Sequence, residues 1–529
     1  MSDTTSQISG AAPAAGGDVR PAAIALSVRT FGLLLATAMV CLVAPNLLND
    51  PDTLWHIRIG QDIRATGAFP VADSYSHTFD GAPWIAKQWL SGVVLSLAHD
   101  LGGWAGIVAI TIAAVIASFA LVHGQLARHL APLPALAVAL WAFGMSSSVF
   151  VARPHMLALP FAIWFVIHVW NAADDRRAPD LLALGAMMLW ANLHGSFTLG
   201  FLAAGAAFVH FAARDDLLAR PGTWSLAALR RHRPLHGWIV FGALCPVAAM
   251  VHPYGWQAIA STFVMVDNAA LAHIAEWQPL DFGADPLAAF SLIAIIVAFL
   301  ATPLRAPLAK AVFVGLMLYM FVTHARFAPF FYLLTESLLA REIARCLPGM
   351  ARRAWERRGD FDGLQRLAGR RSRTVCTAMA ALGLVLIASA LTTDRLQPPG
   401  TVYPASAIAA ARAAGLEGNV MNSYDFGGAL IRAGIPTFID GRADRLFDNG
   451  AFIAETIAMA GKPEEIEPLL DAHEIGWTLL KPADPNLAVM DGLDGWTRLH
   501  VDADAVIHVR TPSGASTMRA SEEQQMSID

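Results

Sequence analysis

The sequence predicts a polytopic α-helical membrane protein that has a small α/β domain near its C-terminal end. Of its 529 residues, 55% are hydrophobic and only 15% are charged, and the mean hydropathy is +0.48. Ordinary soluble domains have roughly a quarter charged residues, so a chain this apolar requires lipid as the solvent for much of its surface. The apolar residues form long segments up to residue 391, whereas the composition after residue 395 is that of a soluble domain.

The charge balance and the cysteines exclude several other classes of protein. The 37 basic and 42 acidic residues give a net charge of -5, without the basic excess typical of proteins that bind nucleic acid. The four cysteines have no paired spacing, so neither a disulfide framework nor a zinc site is predicted. The sequence also lacks a GxxxxGK[ST] phosphate loop, which argues against nucleotide-driven transport.

The apolar segments divide the chain into a membrane part, an outer domain and two tails. Residues 1–24 are predicted to be a disordered cytoplasmic tail and 513–529 a second polar tail. Residues 25–393 are predicted to form the transmembrane domain, and 394–512 the α/β domain. About eleven segments are long enough to span, or nearly span, a hydrocarbon core of roughly 30 Å. They are 27–47, 103–123, 131–149, 155–171, 179–191, 195–213, 237–251, 286–302, 307–323, 327–340 and 375–391.

The positions of Arg and Lys predict the orientation, because cytoplasmic loops retain positive charge. Residues 341–374 contain ten Arg against four acids, and residues 214–236 contain five Arg. Residues 252–285 contain four acids and no Lys or Arg, which suits an outer loop. Further charged positions fall on the inner side if each segment crosses once: Arg128, Asp174 to Arg177, Arg305 and Lys310. The amino terminus is therefore predicted to be cytoplasmic, and residues 48–102 and the α/β domain periplasmic, in a bacterial inner membrane.

This topology requires that the apolar stretch 89–97 does not cross the membrane. It is about nine residues long, flanked by Lys87 and Asp100, so we expect an amphipathic or re-entrant helix at the outer interface. The alternative is a short ordinary span. In the outer domain, apolar runs predict strands at 418–421, 437–439 and 477–480, and helices at 404–414 and 463–472.

Two carboxylates, Asp50 and Asp52, flank Pro51 directly after the first apolar segment. One of them can act as a general base on an acceptor hydroxyl. The other can hold a divalent cation, Mg²⁺ or Mn²⁺, or an Arg or Lys that neutralises a departing phosphate. No other cofactor is predicted. The alternative reading is an Asp cap at a helix terminus.

Further polar clusters recur at the predicted outer ends of the spans. They are His56, Arg153 with His155, Asn192 with His194, His252, Glu276 with Trp277, and His324 with Arg326. Ionisable groups cost free energy at lipid depth, so such positions are functional candidates, although each one alone is more often structural. Arg153 and Arg326 suit a phosphate or pyrophosphate, and the histidines can add hydrogen bonds or coordinate a metal.

Several motifs occur in an order that resembles a known family. They are NDPDTLWHIRIGQDI at 49–63, PWIAKQW at 83–89, ARPHMLALP at 152–160, LWANLHGSF at 189–197, HPYGW at 252–256, AEWQPL at 275–280, HARFAPF at 324–330 and NSYDFGGALIRAGIPTFIDGRAD at 422–444. In this set the chain resembles the GT-C superfamily of integral-membrane glycosyltransferases, which take a sugar from a polyprenyl-phosphate carrier. The element at 423–427 loosely resembles the WWDYG element of the oligosaccharyltransferase catalytic subunit, with Ser and Tyr in place of the two Trp.

The resemblance implies a catalytic Asp and interfacial helices in the first outer loop, and inversion at the anomeric carbon. Asp50 or Asp52 would then be the base, with Arg153 and Arg326 on the leaving phosphate. The acceptor would be a periplasmic glycan, lipid or protein. Residues of the outer domain that could hold it, or could simply form a charged surface, are Tyr424, Asp425, Asp440, Arg442, Asp444 and Arg445.

Two other functions remain open at the level of the sequence. The first is a lipid-linked glycan transporter or an accessory subunit of envelope polysaccharide assembly, which predicts ionisable residues through the depth of the bundle. The second is a glycan polymerase or ligase, which differs in transferring a chain rather than one sugar.

Overall fold

The computed structural model describes residues 20–215, 232–264, 268–274, 277–353, 372–392, 396–443 and 446–511. Most of the predicted tails, 1–24 and 513–529, and much of the Arg-rich segment 341–374 lie outside these residues. In the membrane part the helices are α1 Arg20–Leu42, α2 Asp52–Thr66, α3 Trp89–Leu126, α4 Pro132–Ser146, α5 Pro154–Asp174, α6 Leu182–Leu193, α7 Thr198–Arg214, α8 Arg233–Met250, α9 Trp256–Val264, α10 Pro286–Ala301, α11 Leu308–Thr323, α12 Ala328–Cys346 and α13 Ser372–Leu391. Helix α1 therefore begins five residues inside the predicted amino-terminal tail.

A bundle centred on α3, α5 and α12 forms the apolar core of the membrane part. Helix α5 packs against α3, α6 and α7, while α12 packs against α4 and α11, and α1 pairs with α13. Four helical stretches are long and apolar enough to cross a membrane, and five shorter apolar helices accompany them in the described residues. The four are Trp89–Leu126, Pro132–Val149, Pro154–Asp174 and Gly195–Arg214. The total of eleven spans stays a prediction.

Helix α3 consists of two segments separated by a sharp kink. Gly102 and Gly103 have non-helical dihedral angles, and Gly103 has a φ of 56°, a left-handed conformation that glycine adopts without steric cost. A Cβ atom on Gly106 would lie 2.0 Å from the carbonyl oxygen of Ala98, so the chain folds back tightly at the kink. The stretch 89–97 is thus a separate helical segment that packs along α2. That it does not cross the membrane stays a prediction.

Residues 396–511 contain a four-stranded mixed sheet with helices packed on it. The strands are β1 Asn419–Asn422, β2 Ile475–Leu480, β3 Trp496–Val501 and β4 Val506–Arg510, and the helices are α14 Ala405–Ala413, α15 Gly427–Ala433, α16 Ala451–Met459, α17 Pro463–Ala472 and α18 Asn486–Gly492. The sheet order is β1-β2-β4-β3, with β1 parallel to β2 and the other pairs antiparallel. The helix predicted at 463–472 is present with those bounds.

The strand predicted at 437–439 is wrong. Thr437 makes only an isolated bridge with Ser76 of the first outer loop, and Phe438 and Ile439 are buried without a strand partner. A short apolar run can be buried in a loop as well as in a strand, and here the loop packs against another part of the chain.

A buried ion triad fastens the domain at 396–511 to the first outer loop. The guanidinium of Arg442 pairs with Asp73 of that loop and, at 2.7 Å, with Asp440 of the domain. It also lies over the rings of Tyr75 and Trp84, 5.2 and 5.1 Å from their centroids. Because all three charged side chains are inaccessible to solvent, they stabilise the interface only as a complete set.

A second buried ion cluster joins helices at the opposite end of the bundle. Lys310 Nζ of α11 lies 2.7 Å from Asp174 of α5 and 3.2 Å from Glu342 of α12. Asp174 also accepts a hydrogen bond from His210 Nε2 of α7 at 2.9 Å. Lys310 is only 1% exposed, so it is a residue of the helix packing. It does lie at the same end as Asp174, as predicted.

Replacing Lys310 with Met should lower the stability of the bundle sharply. The substitution removes the cation that lies between Asp174 and Glu342 and leaves Asp174 only the longer pairs with Arg214 and Arg341, at 3.6 and 4.0 Å, which costs about 3–5 kcal/mol. The exposed Arg305 offers a matched control, since Arg305→Met should change the free energy of unfolding by less than about 1 kcal/mol. Thermal unfolding of the detergent-purified protein measures both, and equal midpoints in the two variants would contradict the assignment.

Candidate active site

Two carboxylates and one guanidinium meet at the amino-terminal end of α2. Asp50 Oδ1 accepts a hydrogen bond from the backbone N–H of Asp52 at 2.8 Å, which caps the first turn of the helix. The other oxygen of Asp50 lies 2.5 Å from Arg153 Nε, and Asp52 Oδ2 lies 2.5 Å from Arg153 Nη2. The sequence left open whether these carboxylates cap a helix or form a charged site. In the structure they do both.

Backbone contacts hold Arg153 beside the first outer loop. Its neighbour Ala152 donates its N–H to the carbonyl of Leu47 at 2.7 Å and accepts a hydrogen bond from Thr53 Oγ1 at 2.8 Å. Trp55 Nε1 donates to the remaining Asp52 oxygen at 2.9 Å. The chain segment before α5 therefore contacts both Leu47, just before α2, and Thr53, in its first turn. These contacts fix the geometry of the ion pairs.

Histidines and two further cations lie next to this carboxylate pair. The ring of His194 lies 5.9 Å from that of His155, measured between centroids. His194 also interacts electrostatically with Arg326, Lys87 and His56. His56 in turn interacts electrostatically with Arg153. The candidate residues from four separate parts of the sequence are thus brought to one end of the bundle.

Lys87 belongs to this cluster, although the sequence did not single it out as a site residue. It is 8% exposed, in a chain that has only four lysines against 33 arginines. His252 Nε2 donates to the Lys87 carbonyl at 3.0 Å, and Tyr254 Oη accepts the N–H of Ala86 at 3.2 Å. The rarity of lysine in this chain is the sequence signal that could have identified it.

Two candidates from the sequence have structural tasks in this arrangement. His252 holds the backbone of the Lys87 segment, as described, and contacts no carboxylate of the site in the described residues. Asn192 donates to the carbonyls of Met188 and Val251 at 2.8 and 2.9 Å and accepts from Trp89 Nε1 at 2.7 Å. Both residues therefore position the walls of the site.

Arg326 approaches the cluster from the segment between α11 and α12. Its guanidinium lies over the ring of Trp277, 4.4 Å from the centroid, and the His324 ring lies 5.4 Å from the same indole. The cation–π contact orients Arg326. Glu276, predicted beside Trp277, lies outside the described residues.

The domain at 396–511 closes over the start of α2. A Cβ atom on Gly441 would lie 1.9 Å from Asp52 Oδ1, and one on Gly428 would lie 2.1 Å from the carbonyl oxygen of Pro51. Only glycine allows the two chain segments to approach this closely. Tyr424 lies near Asp52 and Arg153, while Asp425, next to it, forms an ion pair with Lys481.

The structure corrects the role suggested for Asp440 and Arg442. Both belong to the buried triad with Asp73 and are 0% and 1% exposed, so neither can touch an acceptor in this conformation. Their charges looked like those of a solvated surface because the sequence does not show which loop covers them. Asp444 and Arg445 lie outside the described residues.

Burial and neighbouring cations set the protonation states at the site. Desolvation, and then the charge of Arg153, lowers the pKa of His56 well below 6.5. Desolvation followed by His155 and Arg326 does the same to the pKa of His194. Burial, together with Asp52 and Asp440, raises the pKa of Tyr424 well above 10.0. Both imidazoles are therefore neutral near pH 7 and can exchange hydrogen bonds without adding charge.

The divalent cation suggested for Asp50 and Asp52 stays a prediction. In the described part of the chain no group of three or more His, Cys, Asp or Glu could hold a metal, so a Mg²⁺ ion there would rely on these two carboxylates and on water. Arg153 already contacts both Asp50 and Asp52, and its charge would repel a cation there. In this arrangement Arg153, Arg326 and Lys87 supply the positive charge.

Solved structures with a similar fold include an archaeal oligosaccharyltransferase. The chain matches the archaeal oligosaccharyltransferase AglB from Archaeoglobus fulgidus, solved with an inhibitory peptide and a dolichol-phosphate, with a TM-score of 0.51 and 12% identity over 85% of this chain and 69% of that one. It also matches ArnT from Cupriavidus metallidurans bound to undecaprenyl phosphate, with a TM-score of 0.48 and 15% identity over 91% of this chain and 98% of that one. No protein-family model and no curated protein sequence matches it. The GT-C fold that the sequence motifs resemble is confirmed.

The neutral histidines should make the stability of the protein depend on pH. Below pH 6.5 the unfolded chain binds protons that folded His56 and His194 do not bind, so the free energy of unfolding falls as the pH is lowered from about 7.5 to about 5.5. The variant His194→Asn keeps an acceptor for the Ser196 N–H bond and should lose less stability over this range. Thermal unfolding midpoints at the two pH values measure the difference, and equal slopes in both proteins would contradict it.

Proposed function

We propose that the protein is an integral-membrane glycosyltransferase of the bacterial inner membrane. It transfers a sugar from a polyprenyl-phosphate carrier to a periplasmic glycan, lipid or protein, with inversion at the anomeric carbon. The observation that best supports this proposal is the Asp50–Arg153–Asp52 arrangement at the mouth of a bundle with the GT-C fold. The solved relatives named above contain dolichol-phosphate or undecaprenyl phosphate, which fits a lipid-linked donor.

In this proposal a carboxylate of the pair is the general base. It takes the proton of the acceptor hydroxyl while the hydroxyl oxygen bonds to the anomeric carbon. Asp50 or Asp52 can serve, but the Asp52 side chain is 18% exposed against 6% for Asp50, and greater access favours Asp52. Asp50, with one oxygen on the helix cap and one on Arg153, then positions the guanidinium.

The leaving group needs positive charge at the opposite side of the anomeric carbon. As the bond from that carbon to the phosphate oxygen breaks, the oxygen keeps the electron pair and the phosphate gains negative charge. The sequence suggested Arg153 and Arg326 for this task. Arg153 pairs with both carboxylates, so we assign the phosphate to Arg326 and Lys87, which both act electrostatically on His194, with His155 and the neutral His194 donating hydrogen bonds.

The lipid-linked glycan transporter remains the second candidate function. It predicted ionisable residues through the depth of the bundle, and the structure adds the Lys310 cluster at the end opposite the site. That cluster is a closed ion network between helices, which a rigid scaffold explains equally well. A transporter needs no base, so the two functions differ in what removal of a carboxylate does.

Removing the base should abolish transfer. In membranes supplied with a labelled polyprenyl-phosphate sugar, Asp52→Asn and Asp50→Asn should each reduce transfer at least a hundredfold, since general base catalysis contributes roughly 10²–10⁴-fold. Asp100→Asn is a matched control, because Asp100 is another Arg-paired carboxylate of the first outer loop and should not affect transfer. Full activity in both site variants would refute the mechanism, and undiminished movement of lipid-linked glycan across the bilayer in them would favour the transporter.

The close approach of Gly441 to Asp52 should be needed for activity. An added methyl group in Gly441→Ala displaces Asp52 from Arg153, and a shift of this size can cost on the order of a hundredfold in rate. Gly492→Ala is the control, because a Cβ atom there meets nothing within 4 Å. The same transfer assay, with expression level checked in both variants, measures the effect. A fully active Gly441→Ala would show that the domain does not set the position of Asp52.

A further inference from the structure

A second cleft lies between the first outer loop and the domain at 396–511. Its volume is about 400 Å³, which is in the size range of small-molecule sites. One wall comes from α2 and the turn that follows it, and the other from the end of α15 and the residues after it. Asp50, Asp52, Arg153 and His194 are not among the residues that line this cleft, so it is separate from the active site.

The polar groups of the cleft form one connected arrangement. Arg58 Nε lies 3.0 Å from both oxygens of Asp62, and Tyr75 Oη donates to Asp62 at 2.9 Å. The hydroxyl groups of Thr66 and Ser74 also line the cleft. Arg58 and Asp62 neutralise each other, while more than a third of the Arg58 side chain stays exposed. The cleft thus offers donors and acceptors without net charge.

Apolar surfaces stand beside these polar groups. Phe69 and the ring of Tyr75 come from the first outer loop, and Ile431, Ile435 and Pro436 come from the domain. The Tyr75 ring is fixed from behind by the buried Arg442, which lies 5.2 Å from its centroid. This wall is therefore formed before any ligand arrives, which lowers the entropic cost of binding.

We propose that this cleft binds an uncharged oligosaccharide portion of the acceptor, away from the point of transfer. Sugar rings present apolar C–H faces and a rim of hydroxyl groups, which match the apolar walls and the Arg58–Asp62–Tyr75 group. Because Arg58 of the cleft lies six residues along α2 from Asp52, about 9 Å at the helical rise per residue, only an acceptor more than one sugar unit long occupies both places. The inference rests on the proposed function, and it makes that function the extension or decoration of a glycan chain.

Direct binding tests the inference independently of catalysis. The probe is water-soluble polysaccharide released from the envelope of the producing cells and size-fractionated, titrated against the full-length protein in detergent. Arg58→Ala should raise the dissociation constant at least tenfold. Arg64→Ala should not, because Arg64 is on the same helix as Arg58 but lies outside the cleft and pairs with Asp100 of α3. Ala68→Trp should fill the cleft and block binding, while Ala65→Trp, on exposed surface outside it, should leave binding unchanged.

Each result decides for or against the cleft. Loss of binding in Arg58→Ala and Ala68→Trp, with retention in both controls, supports it. Equal binding by all four variants, or no binding by the wild-type protein at any fraction size, overturns it. Transfer by Asp52→Asn, measured separately, decides the proposed function itself, so failure of the catalytic proposal and failure of the cleft give different results.

Discussion

The guanidinium of Arg153, held between Asp50 and Asp52, is the contact on which the rest of the site depends. It joins the first outer loop to the start of α5, and Arg153 and the two carboxylates are all largely removed from water. Buried charges are tolerated only when they are paired, so the loop and the bundle must meet at this point. In the proposed mechanism Arg153 orients the carboxylates, and Arg326 and Lys87 supply positive charge for the leaving phosphate.

The sequence predicted much of the helical framework because lipid imposes a simple rule on composition. Long apolar segments with few charges can be read directly, and the predicted segments from 131–149 to 195–213 correspond to α4 to α7. The separate segment at 89–97 could also be anticipated from the Gly102–Gly103 pair. What composition could not show is contact between distant segments. Thr437 to Ile439 read as a strand because nothing local reveals that they pack against residue 76.

The candidate site was predictable for residues in which charge sits beside a long apolar segment, as with Asp50, Asp52 and Arg153. Near lipid, such charges cost free energy, so they are seldom mere surface residues. In the soluble part that reasoning does not apply, and Asp440 and Arg442 looked accessible when they are buried. Lys87 was overlooked for a related reason: its burial depends on His252 and Tyr254, more than 160 residues away in the chain.

The triad of Asp73, Asp440 and Arg442 has a consequence for how this protein can change over evolutionary time. It binds the C-terminal domain to the first outer loop, and Gly441 and Gly428 press that domain against the residues that begin α2. The loop and the domain must therefore be inherited together, although residues 103–395 lie between them in the sequence. A recombination that exchanged the domain without the loop would separate Arg442 and Asp440 from Asp73. The charges buried at the interface would then no longer match.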